Sequence, residues 1–133
     1  MRFNSDLIRE ILIAVSESLI PDEYGYVEQV YPLDLVKTKL SNYPQNEVLY
    51  WIRQLMQSGI LVKGRTYVTD PIPHIKDLSL SGYQFVENVS KPSIWKEIRP
   101  QLIGMMVSNI PTFIQSAIKL GSIAIAKYSD IHN

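Results

Sequence analysis

Residues Pro44 to Arg65, PQNEVLYWIRQLMQSGILVKGR, constrain the fold more than any other stretch of this chain. The apolar residues Val48, Trp51, Ile52, Leu55 and Met56 recur at spacings of three and four, which is one stripe of an amphipathic helix. The opposite face carries Asn46, Tyr50, Arg53, Gln54 and Gln57. Pro44 suits the first helical turn, where its missing N–H is not needed. Gly59 suits the C-terminal stop, because glycine accepts the left-handed conformation there. Ile60, Leu61 and Val62 then form a short, partly β-branched apolar run that predicts a strand, and Lys63-Gly64-Arg65 reads as a basic turn. A helix, a glycine stop and half a hairpin cannot bury themselves. The rest of the chain must supply supporting helices before them and a closing strand with bracing helices after them.

The flanking segments fit that demand. Helical periodicity runs from Ser5 to Leu19 through Ile8, Ile11, Leu12, Val15 and Leu19, with Asn4 or Ser5 as cap and Asp6 and Glu10 at the positive end of the dipole. Pro21 to Gly25 is a turn-rich loop, and Tyr26 to Tyr31 predicts a short extended piece. A second helix is expected from Pro32 to about Leu40, with Leu33, Val36 and Leu40 inward and Lys37 and Lys39 pointing elsewhere. Ser41-Asn42-Tyr43 turns into the central helix, giving a helix-turn-helix order. Beyond the loop 66–73, Ile75 and Leu78 suit a return strand. Ser79 suits the cap of a helix with Tyr83, Phe85, Val86 and Val89 as core candidates, and Gly82 would let helix and sheet approach closely. The expected fold class is mainly α with a small β-hairpin (α+β): a winged helix-turn-helix over residues 1–90, followed by a helical extension over 91–133.

In that extension Pro92-Ser93 opens a helix through Ile94, Trp95 and Ile98, which Pro100 is expected to bend or end. Asn109-Ile110-Pro111 opens another. Its wide apolar face comprises Ile110, Phe113, Ile114, Ala117, Ile118, Gly121, Ala124 and Ile125. Two uses fit such a face: pairing two protomers in a homodimer, or folding back onto the chain's own core. Residues 100–118 carry no charge, but Gln101, Ser108, Asn109, Thr112, Gln115 and Ser116 interrupt them, so no membrane span is expected.

Thirteen basic and thirteen acidic residues cancel, which argues against strong non-specific binding of nucleic acid. Their distribution says more. Residues 1–35 hold two bases and seven acids, whereas residues 36–68 hold five bases and one acid, Glu47. The basic stretch coincides with the helix-turn-helix and hairpin, where a DNA-facing surface belongs. Double-stranded DNA is then the expected partner, with Gln45, Asn46, Tyr50 and Arg53 facing the major groove. Lys37 and Lys39 would touch phosphates, and Lys63 and Arg65 would lie on the wing. The competing class is a protein-interaction module of the same fold without DNA, which the zero net charge, the acidic first third and the apolar last helix suit.

No chemistry is legible. There is no cysteine, and the two histidines, His74 beside prolines and His132 near the end, lie in no metal-ligand spacing. No glycine-rich phosphate loop follows a strand, and no Ser-His-Asp or Cys-His set has a supporting motif. The reading is a protein that is not an enzyme, with no cofactor. The opening MRFNSDLIREIL has acids and no long apolar core, unlike a signal peptide, and a cytoplasmic location is expected.

Several segments resemble one family in order. Asp6 to Leu12, DLIREIL, is similar to the opening of the bacterial and phage family known as domain of unknown function 2513. Tyr50 to Leu61, YWIRQLMQSGIL, resembles its central helix running into the glycine and strand. Leu78 to Val86, LSLSGYQFV, resembles its leucine, hydroxyl, glycine and aromatic segment, and Trp95-Lys96-Glu97 the tryptophan segment that follows. The likeness covers about residues 5–125. It implies a winged-helix protein of Gram-positive bacteria and their prophages, with no catalytic residues to carry over. The C-terminus departs from the pattern in being more apolar and less lysine-rich.

Overall fold

In the computed structural model, which describes residues 2–132 and side chains as far as Tyr128, the central helix runs from Gln45 to Gln57. We label the elements α1 (Ser5–Ser18), α2 (Pro32–Lys37), α3 (Gln45–Gln57), β1 (Leu61–Lys63), β2 (Ile75–Leu78), α4 (Leu80–Val89), α5 (Pro92–Gly104) and α6 (Ile110–His132). The molecule is mainly helical with a small two-stranded antiparallel sheet. Val48, Trp51, Ile52 and Leu55 of α3 are buried, as their spacing requires, and Met56 is half-buried against them. Gly59 takes φ +75 and stops the helix, where any Cβ would be strained.

The strands pair Leu61 with Leu78, Val62 with Asp77 and Lys63 with Ile75, so Lys76 is bulged out. Beyond β1 the ladder continues: the N–H of Gly64 donates to the carbonyl of His74 at 2.7 Å, and that of His74 to Arg65 at 2.8 Å. On the other side of β2, Val30 and Ile75 exchange both backbone hydrogen bonds, at 2.9 and 2.8 Å. The extended piece expected between Tyr26 and Tyr31 thus makes two isolated bridges, Val27 with Pro21 and Val30 with Ile75, and no strand.

Helix α1 starts where Asn4 Oδ1 accepts from the N–H of Leu7 at 3.0 Å. It is more central than its stripe implied, with Leu7, Arg9 and Ala14 buried beside Ile8, Ile11, Leu12 and Val15. The reason is that α3, α4 and β2 all pack on it. Arg9 enters this core because it has partners. Its Nε donates to the Val89 carbonyl at 2.9 Å and its Nη2 to the Ser90 carbonyl at 2.8 Å, which satisfies the C-terminal end of α4. The guanidinium also lies 5.4 Å from the centre of the Trp95 ring. Burial pushes its pKa down, while Glu10 and Asp6 oppose that shift. Asp6 in turn accepts from Trp95 Nε1 at 3.0 Å and from Arg99 Nε at 2.9 Å, tying the start of α1 to α5.

Three expectations are corrected. Tyr83 is 44% exposed rather than in the core, because it lies two positions from Phe85 and so on another face of α4; its hydroxyl donates to Asp77 at 2.5 Å. Pro100 does not end α5, which continues to Gly104. The carbonyl that loses its partner is that of Lys96, and both residues are exposed, so water can serve it. Helix α2 stops at Lys37 instead of near Leu40, and Leu40 is buried from the turn that follows. Other signals hold: Ser79 caps α4 by accepting from the N–H of Gly82 at 3.1 Å, and a Cβ on Gly82 would lie 3.1 Å from the Ile60 carbonyl oxygen. Asn109 caps α6 through the N–H of Thr112 at 2.9 Å.

Helix α6 packs on α4 and α5. Ile110, Phe113, Ile114, Ala117 and Ala124 are buried, Gly121 is buried with them, and Ile118 and Ile125 are half-buried. Phe113 meets Phe3, Phe85 and Trp95 at ring-centre distances of 5.3, 5.6 and 6.5 Å. The stripe read as a dimer face is therefore covered within the chain and is not free for a second copy. One hydrophobic cluster runs from Leu7 to Ala124, so the extension shares the core of the preceding elements.

Candidate nucleic-acid interface

All eight residues proposed for DNA are exposed, and they fall on α2, the turn after it, α3 and the hairpin. On α3, Asn46, Tyr50 and Arg53 recur at spacings of four and three, so they share the stripe opposite the core with Gln57. Gln45 lies at the first position. Asn46 uses its Oδ1 to accept from the N–H of Glu47 at 3.0 Å and keeps its amide donors free of that bond. The Tyr50 ring stands edge-on to Trp51 at 4.9 Å, which fixes its direction.

The cations are less equal than the sequence suggested. Lys37 is exposed at the end of α2. Lys39 Nζ lies 3.3 Å from Glu17 Oε2, an exposed pair that leaves part of its charge offset. Lys63 closes β1. Arg65 has its backbone N–H held at 2.8 Å by Gln29 Oε1, and Tyr67 beside it pushes its guanidinium pKa upward. Arg53 needs the largest revision. Its Nη2 donates to the carbonyl of Pro71 in the hairpin loop, so the side chain expected to read a base bridges α3 to the hairpin.

The same loop is held from the other side. Asp70 Oδ2 lies 3.1 Å from His74 Nε2, and the Tyr31 hydroxyl donates to Asp70 Oδ1 at 3.3 Å. The His74 ring stacks on Tyr31 at 4.7 Å and stands edge-on to Tyr67 at 5.1 Å. Desolvation first, and then Asp70, push the Tyr31 phenol pKa up. Ile72 is buried beneath the loop. His74, for which the sequence offered no metal-ligand spacing, is a member of this cluster. Its position before Ile75 carried no sign of that, because its partners are four, seven and tens of residues away. The side chain of His132 lies outside the described residues.

Acids flank this surface. Glu28 and Asp34 line a cleft with Gln29, Tyr31, Arg65, Tyr67 and His74. Among the described residues, no group of three or more His, Cys, Asp or Glu could hold a metal ion, and no helix is long and apolar enough to cross a membrane.

A family model described as Hypothetical protein (DUF2513) matches residues 2–103. The chain belongs to that family. The match runs from the start of the described chain to the penultimate residue of α5, and α6 lies beyond it. No curated protein and no solved structure matches the chain. Membership in DUF2513 carries no activity, so function has to be argued from the surface itself.

Proposed function

We propose that this DUF2513 protein is a DNA-binding protein of winged helix-turn-helix type, a regulator of transcription in bacteria or their prophages. What supports the reading is proximity: α3, with its polar stripe, packs on β1, and Arg53 ties it to the hairpin loop at Pro71, so the exposed Lys63 and Arg65 lie on the element next to α3. The element order supports it. Two helices and a turn lead into α3, a hairpin follows, and Val30 bridges the outer edge of β2 where a first small strand belongs in such folds. In this reading α3 enters the major groove. Asn46 and Tyr50 offer side-chain groups to base edges, and Lys37, Lys63 and Arg65 meet phosphates.

The second reading, a protein-interaction module, has its own observation. The hairpin loop 66–73 carries no base, and Tyr67 and Val68 stand exposed at its tip. Selection of purified protein against a pool of random duplexes separates the two. Enrichment of one motif supports the regulator; no enrichment at low salt supports a protein partner.

A further inference from the structure

We infer that the cleft between residues 27–34 and the hairpin binds a small basic zwitterion of amino-acid size, with Glu28 and Asp34 taking its cationic groups and Arg65 its carboxylate. The site goes beyond the DNA reading and needs no duplex. The cleft has a volume of about 430 Å³, which lies in the range of small-molecule sites. Its aromatic wall is built in advance. The His74 ring stacks on Tyr31 and stands edge-on to Tyr67, and Asp70 holds both His74 and Tyr31 through hydrogen bonds. The backbone bonds between Val30 and Ile75 fix the chain on either side of Val30, where Gln29 and Tyr31 sit. Gln29 lies across the arm, its Oε1 accepting from the Arg65 N–H, and a Cβ on Gly64 would collide with that oxygen.

The charges in this frame point to a ligand. Glu28 and Asp34 are exposed and enter no ion pair among the described residues. Arg65 lines the same cleft and pairs with neither. Two carboxylates against one guanidinium complement a molecule with two cationic groups and one carboxylate. The tyrosine rings add an electron-rich face for a cation. An apolar ligand would gain little, because Val27 is the one aliphatic residue in the lining. Arg65 also belongs to the surface proposed for DNA. A carboxylate on its guanidinium offsets the charge that would meet a phosphate, so ligand and duplex compete.

The test is an NMR titration of the full chain with L-lysine and with L-norleucine, which has the same carbon chain and lacks the ε-ammonium. Lysine should give saturable shifts at Tyr31, Tyr67 and His74 in the millimolar range, and norleucine should not. Glu28→Gln/Asp34→Asn should weaken lysine binding by about tenfold and Arg65→Met by about fivefold, the scale of exposed charge pairs. Glu23→Gln/Glu87→Gln removes two exposed acids outside the cleft and should bind lysine like wild type. The absence of saturable shifts overturns the site, as does an equal response to norleucine or an equal loss in the two acid-removing variants. An unchanged affinity in Arg65→Met overturns the carboxylate contact and with it the zwitterion. Lysine should also weaken binding to the enriched duplex more than norleucine at equal ionic strength, and equal affinities overturn the competition. If wild type binds no duplex, the DNA reading fails, while the titration still decides the site.

Discussion

Two helical glycines give a prediction whose sign depends on packing. A Cβ placed on Gly121 would lie 2.7 Å from the Asn88 carbonyl oxygen, 3.1 Å from Asn88 Cβ and 3.2 Å from its carbonyl carbon. The first contact is too short, and the atom it meets belongs to the backbone of α4, so α6 and α4 must separate. Overpacking of that kind costs about 1–3 kcal/mol. Replacing glycine by alanine inside a helix contributes about 1 kcal/mol in the other direction. The packing term wins, and Gly121→Ala should destabilise the protein by about 1 kcal/mol. A Cβ on Gly104, at the end of α5, would meet nothing within 4 Å. Gly104→Ala should therefore stabilise by about 0.5 kcal/mol. Urea denaturation of both variants beside wild type measures the difference, with unchanged slopes. The loss at Gly121 should not depend on protein concentration, because the contact is within one chain. A Gly121→Ala protein as stable as wild type, or a loss that shrinks as concentration rises, would refute the packing of α6 on α4.

Further expectations follow from the charged and phenolic groups. Arg9→Met should cost about 3 kcal/mol in chemical denaturation, because the Val89 and Ser90 carbonyls lose a buried, charged donor; a loss under 1 kcal/mol would mean that water replaces it freely. The hydrogen bond to Asp77, then burial, raise the Tyr83 pKa, and burial raises that of Tyr43. A raised phenol contributes stability below the unfolded value of about 10, and that stability is lost as pH climbs from there through the folded value. Stability should thus fall above about pH 10, and Tyr83→Phe should make the fall shallower in denaturation curves taken across that range; an unchanged slope would remove Tyr83 as a contributor. Pro100→Ala should leave the fold and the bounds of α5 intact and raise stability, checked by circular dichroism and melting, since the helix already runs through that position.

The parts of the fold legible in the sequence are those that local chemistry determines. Helix α3 is bounded by a proline and a left-handed glycine and has a clean period, so it can be read without knowing its neighbours. The caps at Asn4, Ser79 and Asn109 work over three residues, and their residue types announce them. The parts that were not legible depend on distant partners. The wide stripe of α6 reads the same whether α4 and α5 or a second copy covers it, and only contacts such as Phe113 with Phe85 and Trp95, and Gly121 beside Asn88, distinguish the two. Nothing near Arg9 says that a carbonyl eighty residues away will draw it into the core. Arg53 on the polar side of α3 looks like a base reader until Pro71 is placed beside it. Pro100, expected to bend or end α5, does not end it, and the Lys96 carbonyl left without a partner is on an exposed residue where water can serve it.

The central claim is that α3 and the basic arm of the hairpin form one DNA-binding surface. Its most direct test is the salt dependence of binding to the enriched duplex, for wild type and for the Lys63→Ala/Arg65→Ala protein. Each phosphate contact contributes about 0.9 to the slope of log affinity against log salt, so the double variant should bind more weakly with a slope smaller by about 2. An unchanged slope, or no binding by wild type at low salt, would contradict the claim and turn attention to a protein partner for the same face.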